Sequence, residues 1–190
     1  MNKKRLWHTL RLWTILSGTK RAIYMKKKGI FASIGDKCVI MDRKIPLYPN
    51  LIKLGNNVNL ASDVTFVTHD ITHKMLNNAK FDAAKGKTIP EKLGCIEIGD
   101  NVFIGTGVKI LYNVKIGSNV IIGSGSIVTK DIPDGSIAVG VPAKVISDMD
   151  SYISKRLSEK SYDDSIKPRN QEVGEELSKF CWKMFEESRL

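Results

Sequence analysis

The 190-residue chain has few cysteines and no long apolar run, and both shortages exclude classes of protein. Its three cysteines are an odd number at unrelated spacings, which argues against a disulfide framework and favours a reducing compartment. No stretch approaches the roughly 20 apolar residues of a membrane-spanning helix, and charged residues interrupt the segment where a secretory signal would be apolar. We therefore expect one compact domain with appendages, located in the cytoplasm.

Acidic residues are absent from the first 30 positions, and this absence accounts for nearly all of the net charge of +10. The segment holds nine lysines and arginines, whereas residues 31–146 hold 13 basic and 10 acidic residues. Residues 147–190 hold 8 basic and 10 acidic residues. A body this close to neutral argues against a general polyanion-binding surface, so we expect no nucleic-acid partner.

A period of six residues dominates the centre of the chain. Two ladders of mostly aliphatic residues repeat at this spacing: Ile98, Ile104, Ile110, Ile116, Ile122 and Val128, and, offset by four residues, Val102, Val108, Val114, Val120, Ser126 and Ile132. Helices repeat every 3.6 residues and strands every 2.0, so neither explains the period. A period of six is typical of a chain that coils through short stacked strands, and it predicts an all-β solenoid. The period leaves the handedness open, although ordinary crossover connections are right-handed.

The repeat divides the chain into three segments. Residues 1–29 are expected to form a basic amphipathic helix, with Gly18 as a candidate break, that either caps the first coil or lies on an anionic membrane surface. Residues 30–146 are expected to form the solenoid, interrupted at residues 69–95 by an aperiodic loop that leaves the coil. Residues 147–190 are expected to form a helical tail, either a solvated appendage or an oligomer contact.

The hexad units IGDNVF IGTGVK ILYNVK IGSNVI IGSGSI VTKDIP, followed by VGVPAKVI, carry a specific resemblance. Over about residues 30–146 the chain resembles the hexapeptide-repeat acyltransferases, and among them the galactoside, maltose and capsular polysaccharide O-acetyltransferases. The resemblance implies a left-handed parallel β-helix and a homotrimer with active sites between subunits. It also implies acetyl-CoA as the donor, with no requirement for a metal.

A histidine at the start of the loop is the candidate catalytic residue. His69 stands in FVTHDITH directly after a hexad strand, where the resembling enzymes place their catalytic histidine. Imidazole can take a proton from an alcohol near neutral pH, so the hydroxyl can attack a thioester directly. His73 is the alternative base, and both Asp70 and His73 are candidates for binding the acceptor.

Five positions match the donor-binding segment of the resembling family. The resemblance implies that Thr106, Ser124 and Thr129 contact the pantetheine arm and the adenine, and that a backbone N–H near Thr106 stabilises the oxyanion. It also implies that Lys130 and Lys144 face phosphate groups. Lys144 stands where relatives commonly have arginine, so the charge is kept while the guanidinium fork is lost.

The sequence leaves the acceptor open. A sugar hydroxyl, in a surface polysaccharide or its lipid-linked precursor, is the first choice, because Gly55 and His69 are two residues closer than in the galactoside and maltose enzymes. A free sugar, serine, an amino sugar and a drug alcohol are the alternatives, and membrane contact by residues 3–28 would favour the lipid-linked acceptor. A zinc enzyme on this coil would need three histidines at the metal, whereas His8 lies far from the other two in sequence. A non-catalytic scaffold would not need the donor-binding segment.

Overall fold

The computed structural model describes residues 3–169 and 172–189. The α-helices are α1 Lys3–Trp13, α2 Gly18–Lys27, α3 Thr72–Ala79, α4 Met149–Ser158 and α5 Glu175–Glu187. The strands are β1 Ser33–Ile34, β2 Val39–Ile40, β3 Ile52–Leu54, β4 Val58–Leu60, β5 Thr65–Val67, β6 His69–Asp70, β7 Lys92–Leu93, β8 Ile96–Ile98, β9 Val102–Ile104, β10 Lys109–Leu111, β11 Val114–Ile116, β12 Val120–Ile122, β13 Ile127–Val128, β14 Ser136–Val139 and β15 Lys144–Asp148. Short 3₁₀ helices cover Pro49–Leu51, Asp82–Ala84 and Asp164–Ile166.

The hexads form three parallel sheets around one interior. The consecutive strands β8, β9 and β10 lie in three different sheets, and each pairs with the strand 18 residues later. The partners 18 residues apart are Ile98 and Ile116, Ile104 and Ile122, and Ile110 and Val128. One turn of the coil therefore takes 18 residues and one strand from each sheet. The predicted stacking of short parallel strands is confirmed.

Both ladders point into the coil. Every member is at most 5% exposed, and seven of the twelve are fully buried aliphatic residues: Ile104, Ile110, Ile116, Ile122, Val128, Val108 and Val120. Burying one such side chain contributes about 1.5–3 kcal/mol, so the ladders dominate the stability of the coil. Ser126 is the polar member, and its hydroxyl donates to Gly123 O at 2.6 Å and accepts from Gly140 N–H at 3.0 Å. Its burial therefore leaves no unpaired polar group.

The corners of the coil depend on asparagine as well as glycine. Asn57, Asn101 and Asn119 have φ between 53° and 57°, a left-handed conformation that asparagine tolerates. Their side chains form a ladder, since Asn57 Nδ2 donates to Asn101 Oδ1 and Asn101 Nδ2 donates to Asn119 Oδ1, both at 3.0 Å. Glycine serves another purpose, because a Cβ at Gly117 would lie 2.1 Å from Asp134 Oδ1. Asparagine takes the bend, and glycine permits the close approach of successive turns.

The N-terminal segment forms two helices, whereas its sequence predicts one. Ser17 is extended, at φ −83° and ψ 130°, and its side chain accepts a hydrogen bond from Lys20 N–H. This cap starts α2 afresh at Gly18, the candidate break. Leu12 and Met25 are buried in the same core as the first strands. The helices therefore cover part of the first coil, which is the arrangement of an end cap.

A buried arginine joins this cap to β2. The Arg21 side chain is fully buried, its Nε donates to Ile40 O at 2.8 Å, and its Nη1 donates to Ile15 O at 2.7 Å and Leu16 O at 2.9 Å. Burial lowers the pKa of the guanidinium from its ordinary value. One side chain thus binds the segment between α1 and α2 to the first turn of the coil.

Residues 69–95 leave the coil between paired ends. Strand β6 runs antiparallel to β7, which places His69 opposite Leu93. Farther along the segment, the Asn77 amide donates to Ile89 O and accepts from Ile89 N–H, both at 2.9 Å. The sequence predicts an aperiodic loop over residues 69–95, and the structure forms the helix α3 within it. An eight-residue helix is too short for a helical period to stand out.

The chain divides into two compact units, and the second comprises the described residues 153–169 and 172–189. Within the second unit, Lys160 pairs with Glu187 at 3.2 Å, and the rings of Tyr162 and Phe180 lie edge to face with centroids 6.4 Å apart. The segment boundaries at 29/30 and 146/147 stay predictions. Over residues 3–169 and 172–189, none of the helices combines the length and apolarity needed to cross a membrane.

Candidate active site

The candidate catalytic histidine lies where the chain leaves the coil. Strand β5 ends at Val67, and β6 begins at His69. Between them, Thr68 is fully buried, its Oγ1 donates to Leu47 O at 2.8 Å, and its carbonyl accepts from Gly94 N–H at 3.0 Å. The backbone that presents His69 is therefore held by residue 47 on one side and by the returning end of the loop on the other.

The His69 side chain is half-buried, and its Nδ1 is buried with no hydrogen-bond partner among the described residues. Its ring lies edge to face with the ring of Tyr48, at a centroid separation of 5.3 Å. Burying a polar nitrogen without a partner costs free energy, so such atoms are rare in folded proteins. This is the arrangement expected where a bound ligand supplies the partner or a proton is exchanged.

Tyr48 and Glu91 belong to this site, although neither is predicted from the sequence. The Tyr48 hydroxyl lies 3.1 Å and 3.2 Å from the two carboxylate oxygens of Glu91 and donates to them, which raises the pKa of the phenol. Tyr48 has φ 51°, a conformation uncommon for a residue other than glycine. The signal in the sequence is the break in the hexads between Pro46 and Pro49.

Asp70 and His73 are close to His69 in sequence but have different surroundings. Asp70 Oδ1 accepts a hydrogen bond from Thr72 N–H at 2.6 Å at the start of α3, and this bond lowers the pKa of the carboxyl group. His73 lies in the first turn of α3, and its Nδ1 is also buried without a partner in the described part of the chain. Asp70 is therefore engaged in starting the helix, whereas His73 keeps an unsatisfied nitrogen close to His69 in sequence.

Thr106 and Ser124 occupy equivalent corners of successive turns and are exposed. Gly125 N–H donates to Thr106 O at 2.8 Å, which joins the two corners. They precede β10 and β13, and both strands lie in one parallel sheet with β5. His69 follows the end of β5. Within one chain, Thr106 and Ser124 therefore lie where the strands of this sheet begin, and His69 lies where they end.

Thr129 and Lys130 directly follow β13 and are exposed. Because β10 separates β13 from β5, these residues lie at the same strand ends as His69, about 10 Å away along the coil axis. Lys144 is also exposed, but it begins β15, which runs antiparallel to β14 in a different sheet. Thr129 and Lys130 thus lie at the same strand ends as His69, and Lys144 follows Ala143, whose N–H donates to Ile127 O of β13 at 2.8 Å.

The third histidine has a separate environment. His8 is buried in α1, and its Nδ1 lies 2.7 Å from the Tyr24 hydroxyl. Within the described ranges, no three side chains of histidine, cysteine, aspartate or glutamate are grouped as ligands of a metal ion.

Residues 95–130 match the family model described as bacterial transferase hexapeptide (six repeats). The protein CapG of Staphylococcus aureus is 45% identical over 116 residues, which are 60% of this chain and 62% of CapG. The galactoside O-acetyltransferase of Escherichia coli K12 is 42% identical over 100 residues, which are 52% of this chain and 44% of that enzyme. The chain therefore spans less than two thirds of the length of these curated relatives.

The fold is also similar to a solved structure. A hexapeptide-repeat acetyltransferase of Vibrio cholerae matches 77% of this chain and 89% of its own chain, with a TM-score of 0.55 and 18% identity. At this identity the likeness concerns the fold alone.

Proposed function

Because this chain belongs to the hexapeptide-repeat acetyltransferase family, we propose that it transfers an acetyl group from acetyl-CoA to a sugar hydroxyl. The carrying observation is His69, whose ring lies beside Tyr48 at the base of the loop and whose buried Nδ1 has no partner among the described residues. The likeness to galactoside O-acetyltransferase supports both the reaction and the sugar.

In the proposed reaction, His69 is the general base. The acceptor oxygen attacks the thioester carbonyl carbon while its proton moves to the imidazole. The new C–O bond forms, the C–S bond breaks, and the proton then passes to the departing thiolate of CoA. The donor and acceptor react directly, so the chain needs no nucleophile of its own. A backbone N–H near Thr106 stabilises the oxyanion.

The donor site consists of Thr106, Ser124, Thr129, Lys130 and Lys144 in this proposal. All five are exposed, so their side chains can reach a ligand that lies on the outside of the coil. The two lysines provide positive charge for the phosphate groups of CoA. Asp70 and His73 lie beside the base and contribute to the acceptor site.

We propose further that the coil is left-handed and that three copies form a homotrimer with active sites between subunits. The positions of the site residues support this assembly, because Thr106 and Ser124 lie at the opposite strand ends from His69 within one chain. A neighbouring copy can place its Thr106 and Ser124 beside the His69 of the first chain.

In this proposal the acceptor is a sugar of surface polysaccharide biosynthesis. Residues 3–28 make a peripheral contact with the membrane. The surface of α1 supports this contact, because Trp7, Leu10 and Trp13 are each more than half exposed and α1 also carries lysines and arginines. Basic helices with exposed tryptophan bind anionic membrane surfaces.

The proposal is tested by titrating the full chain with acetyl-CoA in a calorimeter and then following release of the CoA thiol as acceptors are added. We expect saturable binding of about one acetyl-CoA per chain, as in a trimer with three equivalent sites, and thiol release with sugars. Thiol release with serine or a drug alcohol instead would identify the alternative class of acceptor. Failure to bind acetyl-CoA would contradict the proposal and favour a non-catalytic scaffold.

A further inference from the structure

A cavity of about 540 Å³ lies between α1, the end of α2 and residues 45–50. Its lining includes the basic residues Lys4, Arg5 and Lys28 together with apolar residues such as Ile30 and Ile45. Among the described residues that line it, none is acidic. Cavities of this size commonly bind small ligands, and the lining suits a ligand that carries an anionic group.

The positive charges around the cavity affect the protonation of a histidine in its lining. His8 also lines the cavity, and its pKa is lowered from the ordinary value by burial and by the charges of Lys4 and Lys28. The positive potential of these lysines therefore reaches the wall, and an anion in the cavity would reduce their repulsion. A guanidinium and two ammonium groups match the several oxygens of a phosphate better than the two oxygens of a carboxylate.

One aromatic residue connects this cavity with the proposed base. Tyr48 lines the cavity, and its ring contacts the His69 ring edge to face. The adjacent Leu47 also lines the cavity, and its carbonyl accepts the hydrogen bond from Thr68, the residue before His69. Tyr48 is thus a side chain that both lines the cavity and contacts the ring of the proposed base.

We propose that the cavity binds a phosphate group carried by the sugar acceptor, while a hydroxyl of the same acceptor extends past Tyr48 to His69. The acceptor role rests on the proposed acetyl transfer, whereas phosphate binding does not. A soluble sugar phosphate and a lipid-linked sugar diphosphate present the same phosphate oxygens, so the site recognises a chemistry that both share.

The first test measures binding of inorganic pyrophosphate to the full chain by calorimetry. The double variant Arg5→Gln, Lys28→Gln removes two charges from the lining, and Lys3→Gln, Lys27→Gln is the matched control with the same charge change outside the lining. We expect pyrophosphate affinity to fall about tenfold or more in the first variant only, because charge-assisted hydrogen bonds are lost. We also expect pyrophosphate to raise the pKa of His8, followed by NMR. Absence of binding, or an equal loss in both variants, would overturn the site.

The second test separates this site from the proposed reaction. In the lining variant, the KM for a phosphorylated acceptor is expected to rise about tenfold, while the KM for a neutral sugar and the affinity for acetyl-CoA stay unchanged. If glucose 1-phosphate competes with pyrophosphate for the cavity, the natural ligand is a soluble sugar phosphate. If only vesicles that contain a prenyl diphosphate sugar compete, the natural ligand is lipid-linked. If pyrophosphate binds selectively but no acetyl transfer occurs, the phosphate site stands and the transferase proposal fails. Equal KM changes for phosphorylated and neutral acceptors would contradict the acceptor role.

Discussion

At the scale of single residues, the proposed chemistry depends on one imidazole. Replacing His69 with alanine is expected to lower kcat by about 10²–10⁴, the usual contribution of a general base. Without the imidazole, no positioned base takes the proton from the hydroxyl group of the substrate. The affinity for acetyl-CoA should be unchanged, since His69 is not part of the proposed donor site. Thiol release measures kcat, and calorimetry measures the affinity.

His73→Ala provides the comparison for this prediction, because both histidines have a buried Nδ1 without a partner among the described residues. As a residue of the acceptor site, His73 should affect KM more than kcat. A larger fall in kcat for His73→Ala than for His69→Ala would show that the base is His73.

The difference between His69 and Tyr48 shows what local sequence can indicate about a site. His69 can be predicted because its neighbours, a hexad strand before it and an aperiodic segment after it, are close in sequence. Tyr48 lies 21 positions earlier, in a turn where two prolines interrupt the hexads, and its contact with His69 depends on how that irregular turn stacks. No short-range pattern encodes that stacking.

At the scale of elements, Arg21 connects the N-terminal helices to the coil. Replacing it with methionine is expected to lower the free energy of unfolding by about 2–4 kcal/mol, because three carbonyl groups lose the donor that the buried guanidinium supplies. Chemical denaturation measures the change. The exposed neighbour Lys20→Met is the control, with an expected change within about 0.5 kcal/mol. Equal stabilities of the two variants would contradict this account of the cap.

Helix α3 should be sensitive to acid through Asp70. Hydrogen bonds from Thr72 lower the folded-state pKa of this carboxyl group below its unfolded value of about 3.9. A lowered pKa means that the ionised carboxylate stabilises the folded loop above about pH 4 and that this stabilisation is lost as the pH falls through the folded-state pKa.

We therefore expect amide protection of α3 to exceed that of an Asp70→Asn variant above about pH 4 and to converge with it in stronger acid. Hydrogen exchange followed by NMR over a pH series measures the difference. Curves that stay parallel throughout would show that Asp70 does not hold the start of the helix.

The hexad strands could be predicted from the sequence because the same choice of residue recurs in every turn. The interior of one turn has the same shape as the next, so an aliphatic residue every six positions fills the interior of every turn. The two N-terminal helices could not be separated in this way, because the break depends on the Ser17 cap and on the long-range bond from Arg21 to Ile40. Elements that occur once give no repetition from which to infer them.

At the scale of the whole molecule, the two strand ends of one sheet divide the proposed site. Thr106 and Ser124 precede the strands of the sheet that contains β5, β10 and β13, and His69 follows them. A coil with a packed interior cannot bring these ends together, because the buried ladders fill the space between them. The proposed trimer therefore requires two chains for each site, with His69 from one and Thr106 and Ser124 from the next.

This requirement can be tested by mixing two inactive variants. Ser124→Trp places a large side chain at an exposed corner and is expected to block the donor, whereas His69→Ala removes the base. In randomly mixed homotrimers, about one quarter of the sites should combine an intact His69 from one chain with an intact Ser124 from its neighbour. Co-refolded mixtures should then recover about a quarter of the wild-type rate of thiol release, while each variant alone stays inactive. Mixtures that remain inactive, although mass spectrometry shows mixed trimers, would mean that each chain carries a complete site by itself.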